Sequence, residues 1–506
     1  MAEIQLETQC KPFTRFFYIN STLAPTCILF VCIVILIIFS TSKAIPSPRP
    51  VVWGTEAAIT FISMIFTFVI WFLVNRNKHR FLVLKHRDNL SLNVMLVFLW
   101  IFGLANILNS GINMAINIDC LLTGGPQPFP FEQIISIICH TAEILFCIGQ
   151  LGFLSIYGKY RFKLSSLINL GTSFMVIAHT IRWCRSFCYS IFMEHKLPSL
   201  NTTDDCFDNS SLNDIQGAIY KYAGPIKTEF SLLSVVVVVR MFAIFDKDSC
   251  NETEASSTRQ TSSCHSAEHE YSSSTSWKKC DMERRPISFS LSIVIGIILS
   301  LPYTIANVLP SLDTSTYRVI SLTYNSEMLL LLCIAYRQFK VQFQDNCNRQ
   351  TETITYHPVL IFVTAGAITY TTFGCIAGIM LSSQPIGRTL LVDKIIESIV
   401  ILFQTILILH VQTFCLKKAY VRMTSSKVHH TFLCIFVMNT IHWTLSTFAF
   451  GQLSDARTIQ KEFYGENYWR VIVNMMFPIM MFYRLITAIE MYELYKKTSI
   501  YFRRLI

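Results

Sequence analysis

Two apolar stretches of the chain carry the same pair of polar residues, a glutamate followed seven positions later by a glutamine. The pairs are Glu143 with Gln150 and Glu397 with Gln404. Seven residues are almost two turns of an α-helix, so the members of each pair lie on one face, about 10 Å apart along the axis. His140 stands one turn before Glu143. An imidazole, a carboxyl and an amide in a row could relay protons, because imidazole binds and releases a proton near neutral pH.

Other polar residues inside apolar stretches are candidates on the same ground, since an ionised side chain at bilayer depth costs about 2.5–3.5 kcal/mol and normally faces protein or water. Glu229 is expected near the outer end of its helix, where its carboxyl could sit in a water-filled mouth. The alternative for Glu229 is a solvated carboxyl or an ion pair with Lys227 or Lys221. For Gln150 and Gln404 the alternative is a hydrogen bond that holds neighbouring helices together.

Several further residues are assigned to helix packing or gating. Arg182, Arg185 and Arg484 must be paired or hydrated, because a guanidinium does not lose its proton. Ion pairs with Glu194, Glu490 or another acid are expected for them. Glu327 and Glu397 occupy deep positions in apolar helices, and both could be neutral acids at rest. His442 could simply bridge two helices. The packing and gating candidates are Arg484, Tyr483, Asn439, Trp443, His442 and Glu327.

The elements that must position these residues are membrane-spanning helices. Of 506 residues, 52% are hydrophobic and 15% are charged, whereas soluble proteins carry about 25% charged residues. This composition excludes a large soluble catalytic domain. The net charge of +10 is attributed to Lys and Arg in cytoplasmic loops and not to nucleic-acid binding.

Stretches long enough to cross a bilayer, about 20 apolar residues each, are predicted twelve times. They are 23–42, 51–74, 91–118, 131–157, 165–193, 219–244, 288–310, 319–336, 355–381, 390–416, 428–450 and 468–495. Basic residues crowd the connections after the second, fourth and tenth stretches. Those connections, and both termini, are therefore expected in the cytoplasm.

The chain divides into five regions. They are a cytoplasmic tail (1–22), a first six-helix half (23–245), a Ser-rich cytoplasmic linker (246–287), a second six-helix half (288–495) and a second cytoplasmic tail (496–506). The linker cannot bury enough apolar surface to order itself. The external loop near 194–218 carries possible glycosylation sites at Asn201 and Asn209, and Cys120 and Cys206 are the two cysteines expected to pair outside.

Internal similarity indicates a duplicated unit. The segment His179 to Trp183 resembles Asn439 to Trp443, and the two glutamate–glutamine pairs repeat in the same order. Every match is six helices apart and displaced by about 250 to 270 positions. The pattern is typical of two parallel repeats, so the predicted fold is an all-α integral membrane protein with twelve transmembrane helices in two pseudo-symmetric six-helix halves.

Signatures of soluble enzymes are absent from the sequence. It contains no phosphate-binding loop of the Walker type, no H-E-x-x-H pair and no dinucleotide fingerprint on a strand and helix. Transport is therefore favoured over catalysis, with no metal and no organic cofactor expected.

Residues towards the C-terminus resemble the last two helices of the otopetrins, which are proton channels of twelve helices. The matching positions are Asn439, Trp443, Phe463, Tyr464, Gly465, Trp469, Pro478, Phe482, Tyr483 and Arg484. The likeness extends to the fourth, fifth, sixth, ninth and tenth helices and covers Asn93 to Tyr495. The sequence departs from the family at Ile486, where the family usually has histidine, and at Ser446 and Ala449, where the family usually has acids. The histidine of the family's fifth helix is not evident, and Phe174 occupies its approximate place.

The resemblance implies a homodimer that is opened by external acid and passes protons without ATP. It assigns the vestibule acid of the family to Glu229 and its glutamines to Gln150 and Gln404. We therefore expect a proton channel of the plasma membrane, with a route from Glu229 past His140, Glu143 and Gln150, or past Glu397 and Gln404. The alternatives are a proton-coupled secondary transporter and a nonconducting chemoreceptor or scaffold.

Overall fold

The computed structural model of the chain describes residues 27, 29, 49–77, 82–85, 90–123, 130–162, 165–188, 211–241, 286–309, 312–342, 357–414, 428–457 and 459–505. These residues form long helices and two short strands. The elements are α1 (Arg49–Arg76), β1 (Leu82–Lys85), α2 (Leu90–Thr123), α3 (Pro130–Tyr157), β2 (Tyr160–Phe162), α4 (Ser166–Cys188), α5 (Ser211–Met241), α6 (Pro286–Val308), α7 (Thr314–Gln342), α8 (His357–Met380), α9 (Pro385–Phe414), α10 (Val428–Arg457), α11 (Gln460–Tyr464) and α12 (Glu466–Leu505).

Each predicted stretch from 51–74 onward coincides with one long helix. The first stretch, 23–42, falls almost wholly outside the described residues. The last helix, α12, continues to Leu505 through the segment that the sequence analysis assigned to a tail. Proline begins α3, α6 and α9, a position where its missing N–H costs no helical hydrogen bond.

In the described part of the chain, nine helices are long and apolar enough to cross a bilayer, namely all except α4, α5 and α11. Helices α4 and α5 have 23 and 31 residues but hold more polar groups, among them Arg182 and Lys227. Large apolar side chains such as Phe72 and Leu108 are more than half exposed on the outer faces, as expected where lipid is the solvent. The chain is therefore a multi-pass membrane protein.

Helix packing in the first part of the chain recurs in the second part. Helix α3 packs on α1 and α2, α5 packs on α2 and α4, and α1 packs on α4. The helices six predicted spans later repeat these contacts, with α9 on α7 and α8, α12 on α8 and α10, and α7 on α10. We call α1–α5 the first helix set and α6–α12 the second helix set.

The two helix sets meet through few elements. Helix α5 contacts α10, and α12 contacts α2, α4 and α5. One hydrophobic core runs across this boundary, with Phe102 and Phe230 from the first set and Trp443 and Phe482 from the second in the same cluster. The boundary is therefore packed as a protein interior.

The two strands are a feature that the all-α prediction did not include. β1 and β2 pair antiparallel, with Leu84 opposite Arg161 and Lys85 opposite Tyr160. They lie in the connections α1–α2 and α3–α4, so both connections are on one side of the helix bundle. We call that side the strand side. Strand pairing arises here because it satisfies backbone groups of two neighbouring connections that no helix can satisfy.

Two local features set helix ends and helix spacing. The N–H of Thr316 donates to the Asp313 carboxylate at the start of α7, at 3.0 Å. Hydrogen bonding from the side chain of Thr316, and then from its backbone, lowers the pKa of Asp313. Between α8 and α9, a Cβ added at Gly378 would lie 2.9 Å from the Leu391 Cα. A glycine is required at position 378 because the two backbones touch there.

Candidate functional site

Glu229 lies where α5 of the first helix set contacts α10 of the second. Its side chain is buried, with 1% of the residue exposed. One carboxylate oxygen, Oε1, accepts a hydrogen bond from the indole Nε1 of Trp443 at 2.8 Å and another from Thr447 Oγ1 at 3.1 Å. Within the described residues the second oxygen, Oε2, has no hydrogen-bond partner. We call Glu229, Trp443 and Thr447 the interface site.

The position of Glu229 differs from the water-filled mouth that the sequence suggested. The helix that carries Glu229 packs against the second helix set. Its carboxyl therefore contacts protein side chains in place of the water that was expected there. The tryptophan that holds it is itself fixed by aromatic packing, because the ring centroids of Phe98 and Phe102 lie 5.5 and 5.9 Å from that of Trp443. Lys227, one of the suggested partners, contacts a different acid.

A group of five charged side chains lies inside the first helix set. We call it the first charge cluster, and its members are Glu56, Glu143, Arg182, Arg185 and Lys227. Lys227 Nζ lies 2.8 and 3.1 Å from the two carboxylate oxygens of Glu143. Arg185 hydrogen-bonds to Glu56, and Arg182 Nε lies 3.8 Å from the same carboxylate.

His140 stands beside the first charge cluster, as the sequence suggested. Its Nδ1 is 3.7 Å from Glu143 Oε2. Two turns beyond Glu143 on α3, Gln150 donates through Nε2 to Thr67 Oγ1 at 3.1 Å. The predicted row of His140, Glu143 and Gln150 is thus buried inside the bundle, but its carboxylate is committed to a lysine and its amide bridges two helices.

The row ends at an apolar layer. Between Gln150 and the strand side, the buried residues of α1 and α3 include Ile70, Val74 and Leu154, each with 0% exposure. Apolar layers of this kind disfavour the passage of hydrated ions.

A second group of charges occupies the second helix set. We call it the second charge cluster, and its members are Arg318, Asp393, Lys394, Glu397 and Arg484. Glu397 is 2.6 Å from Lys394 Nζ and 3.1 Å from Arg484 Nη2. Asp393 accepts hydrogen bonds from Asn325 at 2.8 Å and from Ser321 at 3.2 Å. The predicted deep acid Glu397 is therefore ion-paired and buried.

Gln404, almost two turns beyond Glu397 of the second charge cluster, is buried with 0% exposure. Within the described residues neither its Nε2 nor its Oε1 has a hydrogen-bond partner. Its neighbour Thr405 joins α8, α9 and α12 instead, because the hydroxyl lies 3.0 Å from Thr364 Oγ1 and 3.3 Å from Tyr483 Oη. Tyr483 also donates to the Ile401 carbonyl at 2.9 Å, which suits its predicted packing role.

The remaining packing candidates occupy three different environments. His442 is buried, and its Nε2 lies 3.4 Å from the hydroxyl of Tyr303 on α6. Asn439 donates to the Ile435 carbonyl of its own helix at 3.0 Å. Glu327 is only half-buried and has no hydrogen bond or ion pair within the described residues.

A further ion pair joins the two helix sets near the strand side. Arg240 of α5 donates to Glu490 of α12 at 3.1 Å and to Ser91 of α2 at 3.1 Å. Glu490 also accepts a hydrogen bond from Gln412 at 2.6 Å. A small cavity beside this pair is lined by the side chains of Val236, Val239, Arg240, Val359, Leu360, Gln412, Ile486 and Glu490.

The three arginines are in ion pairs, as the sequence predicted, and each pairs with an acid other than Glu490. Arg182 and Arg185 pair with Glu56, and Arg484 pairs with Glu397, whereas Glu490 pairs with Arg240. Glu194 lies outside the described residues. The acids Glu56 and Asp393 and the basic residue Lys394 were missed, although a charged residue within an apolar stretch was the signal that could have identified each of them.

Asn201, Asn209 and Cys206 lie outside the described residues. Cys120 is disulfide-bonded, which agrees with its predicted role without naming its partner. Among the described residues, no group of three or more His, Cys, Asp or Glu side chains is arranged to hold a metal ion.

Comparison with protein families confirms the resemblance seen in the sequence. The family model described as Otopetrin matches residues 189–485, which is more than half of the chain. A comparison with curated proteins finds no match. The matched segment contains Glu229, Trp443 and Thr447 of the interface site and all five residues of the second charge cluster. From this match and from its many apolar helices, the chain belongs to the otopetrin family of multi-pass membrane channels.

Proposed function

We propose that this protein is a proton-selective channel of the plasma membrane, opened by extracellular acid, through which H⁺ enters the cytoplasm down its gradient. In this proposal each subunit has twelve spans in two related six-helix halves, both termini are cytoplasmic, and two subunits form a homodimer. Membership of the otopetrin family supports the channel, and the recurring helix contacts support the two halves. No metal and no organic cofactor enters the proposed mechanism.

One observation carries the assignment of the proton site. Among the described acidic residues that are buried in the helices, Glu229 alone has no contact with lysine or arginine. The others are Glu56, Glu143, Asp393, Glu397, Glu490 and Glu493, and each has a Lys or Arg nitrogen within 4.0 Å. Glu229 can therefore take up and release a proton without breaking an ion pair.

The geometry of the interface site suits this role. Both hydrogen bonds from Trp443 and Thr447 go to Oε1, so Oε2 is the oxygen proposed to receive the proton. The donors keep the carboxyl in one orientation in either protonation state. Because α5 and α10 belong to different helix sets, a change of charge at Glu229 acts directly on the contact between the sets.

The paired acids are less suited to carrying protons. Protonating Glu143 would leave Lys227 without its partner, and protonating Glu397 would weaken its contact with Lys394 and Arg484, each in a buried environment where a bare charge costs several kcal/mol. Fixed cations in a narrow pathway also repel permeant cations. We therefore assign the rate-limiting proton site to the interface site, and the rows through Gln150 and Gln404 remain predictions for an alternative route.

The test is a measurement of acid-evoked current in a sodium-free bath that contains only large cations. The wild type is expected to give a current whose reversal potential follows the proton gradient. Glu229→Gln should reduce that current at least tenfold. The matched control is Glu462→Gln, which makes the same substitution at an exposed acid in α11 and should leave the current unchanged.

The same recording separates the other functional classes. A flux that saturates and requires an organic substrate would identify a proton-coupled transporter, and absence of any current from purified, reconstituted protein would identify a nonconducting receptor or scaffold. A wild-type proton current that persists in Glu229→Gln would disprove the assignment of Glu229 while leaving the channel itself intact.

A further inference from the structure

The first charge cluster contains more positive than negative charge. Its acids are Glu56 and Glu143, and its basic members are Arg182, Arg185 and Lys227. With every member ionised the cluster carries a net charge of +1. Within the described residues the ionic contacts of these five side chains lie inside the cluster and with His140.

The cluster is also deeply buried. Glu56, Glu143 and Arg182 are each 1% exposed, and the side chains of Arg185 and Lys227 are 13% and 11% exposed. A net charge held at this depth is costly, because little solvent is present to stabilise it.

Hydrogen-bond donors of the cluster are left over as well. The Nε and Nη2 groups of Arg182 have no hydrogen-bond acceptor within the described residues. Its Nη1 contacts only the Cys147 sulfur, at 3.7 Å, which is a weak acceptor. The guanidinium plane lies against the Phe146 ring at 4.7 Å from the centroid. Arg182 is thus a buried cation with two donors that lack a hydrogen-bond acceptor, although its Nε remains in ionic contact with Glu56 at 3.8 Å.

We propose that the first charge cluster binds one small monovalent anion, such as chloride, at the guanidinium of Arg182. The anion accepts hydrogen bonds from the free donors of Arg182 and brings the total charge of the cluster to zero. A neutral water molecule would satisfy the same donors but would leave the net charge in place. The proposal concerns the stability of the first helix set and does not depend on proton conduction at Glu229.

Chloride dependence of unfolding tests the proposal on the purified full-length protein in detergent. Chloride is varied from 5 to 150 mM at constant ionic strength, with gluconate as the replacement anion. For a dissociation constant of about 10 mM, this change should raise the ratio of folded to unfolded protein about tenfold. The rise should be seen as a higher Tm.

Two variants make the expected effect specific to the cluster. Lys227→Met removes one positive charge, so the chloride-dependent rise in Tm should be largely lost. Glu143→Gln removes one negative charge, so the rise should become larger. The matched control is Lys340→Met, the same substitution at an exposed lysine of α7, which should respond to chloride as the wild type does.

Bromide provides a second readout that does not require the variants to be stable. Crystals of the wild type soaked in bromide should show an anomalous peak beside the Arg182 guanidinium. A wild-type Tm that is the same in chloride and gluconate, or an equal chloride response in Lys227→Met and Lys340→Met, would overturn the proposal. Bromide peaks that avoid Arg182 would overturn it too.

Discussion

Replacing Trp443 with phenylalanine removes the indole N–H that donates to Glu229 and keeps an aromatic ring against Phe98 and Phe102. The bond it removes is 2.8 Å long and buried. A hydrogen bond to an ionised group contributes about 1.5–3 kcal/mol, and one to a neutral group about 0.5–1.5 kcal/mol. The tryptophan therefore favours the ionised carboxylate over the neutral acid by about 1 kcal/mol.

This difference sets the size and the sign of the expected effect. One pH unit corresponds to about 1.4 kcal/mol, so the loss of about 1 kcal/mol moves a protonation midpoint by somewhat under one unit. In Trp443→Phe the ionised form of Glu229 is less favoured, so the carboxyl takes up its proton at a higher pH. Because Glu229 is proposed to take up the permeant proton, the pH of half-maximal current should rise by about half to one unit.

Acid-evoked current is recorded as a function of external pH for the wild type and for Trp443→Phe. The control is Trp100→Phe, which also removes an indole hydrogen bond, to Ser155 at 2.9 Å, but on an exposed face. Its midpoint should match the wild type. A midpoint for Trp443→Phe that stays in place, or that moves to lower pH, would refute the reasoning about the interface site.

Two further predictions concern the second helix set. Arg484→Met should lower the free energy of unfolding by about 1–3 kcal/mol, measured by thermal or denaturant unfolding in detergent. This loss of stability is below the 3–5 kcal/mol typical of a broken buried ion pair, because Lys394 still contacts Glu397 at 2.6 Å. A larger loss of stability would show that Lys394 cannot compensate for the missing arginine. Gln404→Leu should raise Tm and leave the proton current intact, since both amide atoms are buried without a partner in the described residues. A fall in Tm would show that the amide is hydrogen-bonded to water, and a loss of current would restore Gln404 to the proton route.

The fold followed closely from the sequence wherever a run of apolar residues was long enough. The stretches 131–157 and 428–450, for example, correspond to α3 (Pro130–Tyr157) and α10 (Val428–Arg457). The pairing of β1 with β2 was not predicted, because strands of four and three residues are too short to show an alternating pattern.

The candidate site was harder to predict than the fold. The sequence identified Glu143, Gln150, Glu397 and Gln404 as polar residues inside the helices, and the structure buries all four. Glu229 is buried too, although the sequence placed it at a water-filled mouth. It did not distinguish an acid that is paired with a cation from one that is not. That distinction depends on residues of other helices, since the partner of Glu143 is 84 positions away and the partner of Glu229 is 214 positions away.

What the sequence by itself determined is the solvent of this protein, the family to which it belongs and the location of most of its helices. These properties depend on composition, on local periodicity and on short sequence patterns, each of which a single segment of the chain carries by itself. What only the tertiary structure decided is the partner of each buried charge, and with it the contrast between Glu229 and the other buried acids among the described residues. The physical reason is that the free energy of a charge in a membrane protein depends on the groups within about 4 Å of it, and helix packing brings those groups together from distant parts of the chain.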